Sequence, residues 1–274
     1  MCFNSDTDVA QLAAPNGHPA RHKGDALVLD NSEQISCSRA TRDEVGALPF
    51  AISCRAPFLT ATFDVPQAML SWSLTKPGFQ TATQVAWLEV RNRDLPAGQD
   101  PMAFIAHAVA GAGLSDAVLL VTSRTLERHH VTAATVEGVR AVCLATVGLS
   151  NGERVGERSL APVPVPGTIN ILVHVSRPLS PAAMVETISI ATQARTLAVI
   201  EANVERGGVP VTGTGTDCIV VAAPAEGPAE TFAGLHTAIG EAVGKAVYQA
   251  MAEGIAVWRR DFYGENGPGA AQRP

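Results

Sequence analysis

Short apolar runs follow one another closely along this 274-residue chain and are broken only three times by segments long enough for helices. That rhythm restricts the fold more than any other feature. Strand-like runs begin at Ala26 (ALVL), Gln34 (QISCS), Phe58 (FLTATF), Met69 (MLSWSL) and Thr83 (TQVAWLEV), continue at Ala117 to Val121 and Arg140 to Val147, and return as TINILVHV from Thr168 and CIVVAA from Cys218. Runs of this length, rich in β-branched and aromatic residues and bounded by turn formers, read as strands. Their short spacings favour antiparallel neighbours. Helices are expected over Pro101–Ala112, where Asp100 can cap, Pro101 suits the first turn and Gly111 and Gly113 end it; from Pro181, capped by Ser180; and from Ala233 to Gly254. Glu137 and its following glycine mark a turn. Strand blocks punctuated by a few long helices predict an α/β (α+β) sandwich with mixed or largely antiparallel sheets.

The ends are small, polar and aperiodic, so residues 1–24 and 264–274 are expected to be disordered tails around a single domain spanning 25–263. Three prolines at alternate positions between Ala161 and Gly167 fix an extended connector that cannot donate to a sheet ladder. A formal net charge of −6 and the lack of a Lys/Arg-rich run argue against nucleic acid as a partner. The apolar runs stop well short of the ~20 residues needed to cross a bilayer, and the first residues lack the basic and apolar regions of a secretory signal. Five scattered cysteines without a CxxC pair fit reduced thiols, so a cytoplasmic location is expected.

Chemistry concentrates in TGTGTD, Thr212 to Asp217, which stands directly before the apolar CIVVAA run. Gly213 and Gly215 permit close backbone approaches, and Thr212, Thr214 and Thr216 supply hydroxyls. Such a loop can turn N–H groups toward an anion or a developing oxyanion, or it can simply be a bulged strand entrance with Asp217 capping its own turn. It is no dinucleotide fingerprint, because it precedes a strand rather than a helix. GEAVGKA, Gly240 to Ala246, has the wrong glycine spacing for a phosphate loop and lacks its Ser or Thr. In the expected last helix, His236, Gly240 and Gly244 align, with Thr237, Glu241, Lys245 and Tyr248 beside them. Glycines cost about 1 kcal/mol each inside a helix, so another backbone or a flat ligand should approach that face. Glu186, Ser189, Gln193 and Thr196 form one polar stripe on the preceding helix, either a solvated face or a pocket wall. His129 and His130 lack zinc-ligand spacing, and Ser150 sits in GLSNG rather than GxSxG, so neither a metal site nor an esterase elbow is expected.

TVGLSNGERVG from Thr146, PGTINILV from Pro166, LSPAAMVETISIATQARTLAV from Leu179, TGTGTDCIVVA from Thr212 and AGLHTAIGEAVGKAVYQAM from Ala233 occur in that order. Together they resemble the adenosylcobinamide amidohydrolase family, with LSWSLTKPG at Leu70 and AVLLVTS at Ala117 extending the similarity over roughly Ala26 to Gly254. The resemblance implies hydrolysis of the amide linking aminopropanol to the corrin ring, yielding adenosylcobyric acid for corrinoid salvage and cobamide remodelling. The corrinoid is then substrate, and no cofactor is implied. One departure stands out: where the family commonly has an acidic-Ala-basic-Thr string, this chain has Gln193, Ala194, Arg195 and Thr196.

On that basis Asp217 or His236 is the expected proton-transfer group, and the Gly213 to Thr216 backbone and hydroxyls face the oxyanion. The nucleophile is either water or a threonine hydroxyl, Thr214 before Thr216. Asn170, Glu186, Thr212, Gly213, Gly215, Thr237, Gly240 and Glu241 are the expected substrate contacts, with Glu241 placed to orient His236. Two other classes compete, a corrinoid carrier that binds without hydrolysis and a nucleotide-responsive regulatory module. Homo-oligomerisation is left open.

Overall fold

The computed structural model describes residues 46–91, 94, 98, 100–157 and 167–264. The strands expected from Ala26 and Gln34, most of the proline connector and nearly all of both expected tails lie outside these residues.

Seven strands form one continuous ladder. In spatial order it runs β4 (Val118–Thr122), β3 (Gly78–Glu89), β2 (Phe58–Ser71), β12 (Cys218–Pro224), β8 (Ile169–Val175), β6 (Val139–Val147) and β5 (His129–Val136), with β1 (Ala51–Arg55) added on β2. Pairing is antiparallel except for β12 on β8 and β3 on β4. The mixed sheet matches the sandwich expected from the sequence. FLTATF and the first three residues of MLSWSL, expected as separate strands, belong to the two ends of β2, joined across an irregularity between Thr62 and Gln67, while Trp72 to Leu74 lie beyond the strand. That break lets one sheet serve two layers. The half of β2 after it pairs with β12, while the part of β3 opposite the half before it pairs with β4.

The cores record the layering. Leu59, Phe63, Val85, Trp87 and Leu120 from one half pack against Val142, Leu144, Leu172 and Val220 from the other. On the outer face of β6, β8 and β12, alternate residues such as Cys143, Ile171, Val173, Ile219 and Val221 pack against helices α2 (Pro181–Glu201) and α3 (Ala238–Tyr263). On the opposite outer face Ala86, Leu88 and Leu119 meet Ile105 and Val109 of α1 (Pro101–Gly111). The order is helix, sheet, sheet, helix. Strands covered on both faces read as unbroken apolar runs, as in CIVVAA.

Caps set the helix starts. Asp100 accepts from Met102 N at 2.9 Å and Ser180 from Ala183 N at 3.1 Å, each with proline in the first turn. The last helix departs from expectation. It begins at Ala238, because Thr237 accepts from Gly240 N at 3.0 Å and donates to Gly234 O at 2.8 Å, and it continues past Gly254 to Tyr263. β5 was not expected, since only Thr132 of its eight residues is buried. It is joined to β6 by Glu137 and Gly138, whose φ values of 48° and 77° suit a two-residue hairpin turn.

The chain leaves β8, descends along α2 and re-enters the sheet beside β8 as the parallel strand β12, after which α3 descends again. The starts of both helices therefore lie at the C-terminal edge of β8 and β12. The threonine-glycine loop lies at the other edge.

Candidate active site

After α2 the strands β9 (Glu205–Arg206) and β10 (Val209–Pro210) pair as a short hairpin, and a second two-residue ladder fixes the loop that follows. β11 (Gly213–Thr214) pairs with β7 (Gly152–Glu153), Gly213 opposite Glu153 and Thr214 opposite Gly152, which stitches the GLSNG segment to TGTGTD. Thr212 belongs to that stitching: its N–H donates to Glu153 O at 2.8 Å and its Oγ1 accepts from Val155 N at 2.8 Å.

Asp217 is the centre of the loop. Its carboxylate accepts from the Thr214 hydroxyl, from Thr214 N at 3.0 Å, from Ile169 N at 3.2 Å and from the Arg195 guanidinium of α2. The Asp217 and Arg195 side chains are only 8% and 13% exposed. Burial lowers the Arg195 pKa from its ordinary value, and Arg195 Nε has no partner among the described residues. The carboxylate is what compensates the buried charge. A side chain at Gly213 would overlap Arg195 Nη1 and come within 2.6 Å of Asp217 Oδ2, so this glycine exists for the close approach of the pair.

Beside the loop an open cleft of about 610 Å³ is lined by Gly215, Thr216, Asp217, Cys218, Gly167, Thr168, Asn170 and Asn151, with Trp72, Leu74, Val90, Arg91 and residues 119–123 on its remaining walls. Thr216 is exposed and its carbonyl accepts from Thr168 Oγ1 at 2.8 Å. The Trp72 indole N–H donates to Asp217 O at 2.8 Å. Asn170 is buried and donates to Val121 O at 2.8 Å, joining the two sheets behind the cleft. Cys218 lies in the wall, but burial pushes its thiol up to about 12, so it stays protonated and is no nucleophile. A smaller cavity of about 170 Å³ shares Arg91, Ser123 and Gly167 with the cleft; its cations are paired, Arg124 with Asp261 at 2.5 Å and Arg91 with Glu89 at 2.6 Å.

Of the residues expected at the site, the structure gathers Thr214, Gly213, Gly215, Thr216, Asp217 and Asn170 in one place. It does not bring His236, Thr237, Gly240, Glu241 or Glu186 there. Glu186 accepts from Ala233 N at 2.6 Å near the start of α2, nine residues before Arg195, which is about 13 Å along a helix. The segment carrying His236 is anchored at that end, with Ser180 N donating to Glu230 O at 2.9 Å. Across the seven residues of β12, roughly 20 Å, His236 and Asp217 sit at opposite ends. His236 is exposed in a turn before α3, so it does not align with Gly240 on a helical face. Thr237 is the cap, and Glu241 makes a solvated pair with Lys245 at 2.6 Å. Gly240 meets the carbonyls of Gly234 and Ala233, so backbone, not ligand, accounts for it. Gly244 makes only an ordinary contact with Ile190.

Three residues around Asp217 had no assigned role in the sequence reading: Arg195, Trp72 and Asn151. Arg195 carried the clearest signal, the one Lys or Arg of α2 and off its polar stripe. Among the described residues no group of three or more His, Cys, Asp or Glu is arranged to hold a metal ion, and no helix is long and apolar enough to cross a membrane.

Similar structures include the PH0078 protein from Pyrococcus horikoshii OT3, at 10% identity over 78% of this chain and 81% of that one, and a beta-aminopeptidase from Burkholderia sp., at 14% identity over 77% and 82%; both have a TM-score of 0.37. No curated protein matches the chain. The family model for adenosylcobinamide amidohydrolase (CbiZ) matches residues 42–261, which contain the whole loop–cleft arrangement and all of the described elements but the last two residues of α3, and the chain belongs to that family.

Proposed function

We propose that this protein hydrolyses the amide joining aminopropanol to the corrin ring of adenosylcobinamide, releasing adenosylcobyric acid and aminopropanol in the cytoplasm so that the corrinoid can be salvaged. One observation carries the chemistry: the Thr214 hydroxyl donates to Asp217, and that aspartate lines the cleft. A hydroxyl that already directs its proton at a carboxylate can hand it over as it attacks. Arg195 and the Thr214 and Ile169 amides hold the carboxylate in place.

In this reading Thr214 Oγ1 attacks the amide carbon while its proton passes to Asp217. The tetrahedral oxyanion faces donors of the Gly215–Thr216 edge and the Asn151 amide. The C–N bond then breaks as Asp217 returns the proton to the departing amine, leaving an ester on Thr214. Water, deprotonated by Asp217, attacks that ester, its proton returns to Oγ1, and the corrin carboxylate leaves. Direct attack by a water bound to Asp217 reaches the same products in one stage.

Purified protein incubated with adenosylcobinamide should release one aminopropanol per corrinoid consumed. Tight binding without release overturns the hydrolase reading. Hydroxylamine separates the two routes, since only an ester on Thr214 partitions to a corrin hydroxamate, and Thr214→Val should abolish that product.

A further inference from the structure

Trp72 and Leu74 are 47% and 50% exposed, yet both belong to the wall of the cleft. They lie on the connection between β2 and β3, and its geometry presents them deliberately. Ser73 between them is buried; its Oγ donates to Lys76 O at 3.0 Å and its N–H donates to Ser71 Oγ at 3.2 Å. With Ser73 turned inward, the residues on either side project outward. The indole is also tied to the chemistry, because its N–H donates to the carbonyl of Asp217 itself. An exposed aromatic ring fixed by its polar end offers an apolar face at little entropic cost.

We infer that Trp72 and Leu74 form a shelf on which the flat macrocycle of the substrate rests, with the amide-bearing arm reaching from it into the cleft. The inference rests on the corrinoid reading above and specifies where the ring goes. A corrin with its peripheral amides exceeds a cleft of about 610 Å³, so the arm enters and the ring stays at the rim. The shelf fixes the distance from ring to Asp217 through a single side-chain hydrogen bond, which makes Trp72 a specificity determinant.

The test measures binding separately from turnover. Wild type, Trp72→Ala, Trp72→Phe and Leu74→Asn are mixed with adenosylcobinamide or with cyanocobinamide and separated by rapid ultrafiltration before measurable turnover, with bound corrinoid read from its absorbance and aminopropanol release followed in parallel over longer times. Trp72→Ala should raise Kd about tenfold or more for both corrinoids, Leu74→Asn by several-fold, and Trp72→Phe, which keeps a ring but loses the N–H, by less than about threefold. Unchanged Kd in Trp72→Ala overturns the shelf. A loss confined to the adenosyl form also overturns it, by assigning the indole to the adenine. Wild type that binds cobinamide without releasing aminopropanol removes the hydrolase reading alone, and the Kd comparison still decides the shelf. Wild type that binds neither corrinoid overturns both.

Discussion

Arg195 and Asp217 form an ion pair that reaches from the middle of α2 to the loop in front of β12, joining elements 22 residues apart at the edge of the cleft. Both members are largely buried, so each is the other's main compensation for lost water. Replacing Arg195 by Met should destabilise the fold by about 3–5 kcal/mol and lower kcat at least 100-fold, since an unpaired buried carboxylate will not keep the Thr214 hydroxyl in place. Arg195→Lys keeps a charge but not the guanidinium fork, and should recover part of the stability. Urea unfolding with single-turnover assays on the folded fraction checks both; stability and kcat unchanged in Arg195→Met would show that the pair matters for neither.

Gly213→Ala tests the same contact from the other partner. The added methyl overlaps Arg195 Nη1 and crowds Asp217 Oδ2, so the buried pair has to shift from its present geometry. Activity should fall to near that of Arg195→Met, and combining the two substitutions should cost far less than the sum of the single effects, because they break one interaction. Gly215→Ala is the contrast. Its new methyl would lie 3.8 Å from Asn151 Nδ2, an ordinary contact, and the fold should tolerate it.

What could be read along the sequence was whatever depends on near neighbours. Asp100 with Pro101 and Ser180 with Pro181 announce helix starts because a cap bonds within three residues. The apolar run from Cys218 announces a strand covered on both faces. The irregularity between Thr62 and Gln67 carries Asp64 and Pro66, which locally read as the end of a strand, so one long strand read as two and the folding-over of the sheet was hidden. The loop's chemistry was visible as composition, but its clamp was not, because Arg195 and Trp72 reach Asp217 from 22 and 145 residues away. His236 was misplaced for a related reason. Helical periodicity carried back to Ala233 lines it up with Gly240, whereas Thr237 starts the helix one residue after it.

His236→Ala should therefore leave kcat and Kd for the corrinoid within about twofold of wild type, since the side chain is exposed at the far edge of the sheet. Glu241→Gln, which removes one member of a solvated pair, should do the same. Gly240→Ala should lower thermal stability by displacing the Gly234 carbonyl while leaving the activity per folded molecule intact. A loss of kcat in His236→Ala beyond tenfold, with stability unchanged, would place the chemistry at the wrong end of β12.

His174 predicts how the fold responds to acid. It is buried in β8 against the Phe63 ring, with Gln67 Oε1 at 3.3 Å, and burial first, then the positive charge of Arg140, lowers its pKa from 6.5 to about 4. Above pH 6.5 the imidazole is neutral in folded and unfolded chains alike, so stability is unaffected there. Between pH 6.5 and about 4 the unfolded chain takes up a proton that the folded chain refuses. Stability therefore declines as pH falls through that window, and the decline ends once the folded imidazole protonates near pH 4. At pH 5 the cost is about 2 kcal/mol. His174→Gln has no such titration and can still bond Gln67, so urea unfolding at pH 7.5 and pH 5 should show wild type losing about 2 kcal/mol more than the variant. Equal losses in the two proteins would mean that His174 carries its proton inside the fold with no more difficulty than in water.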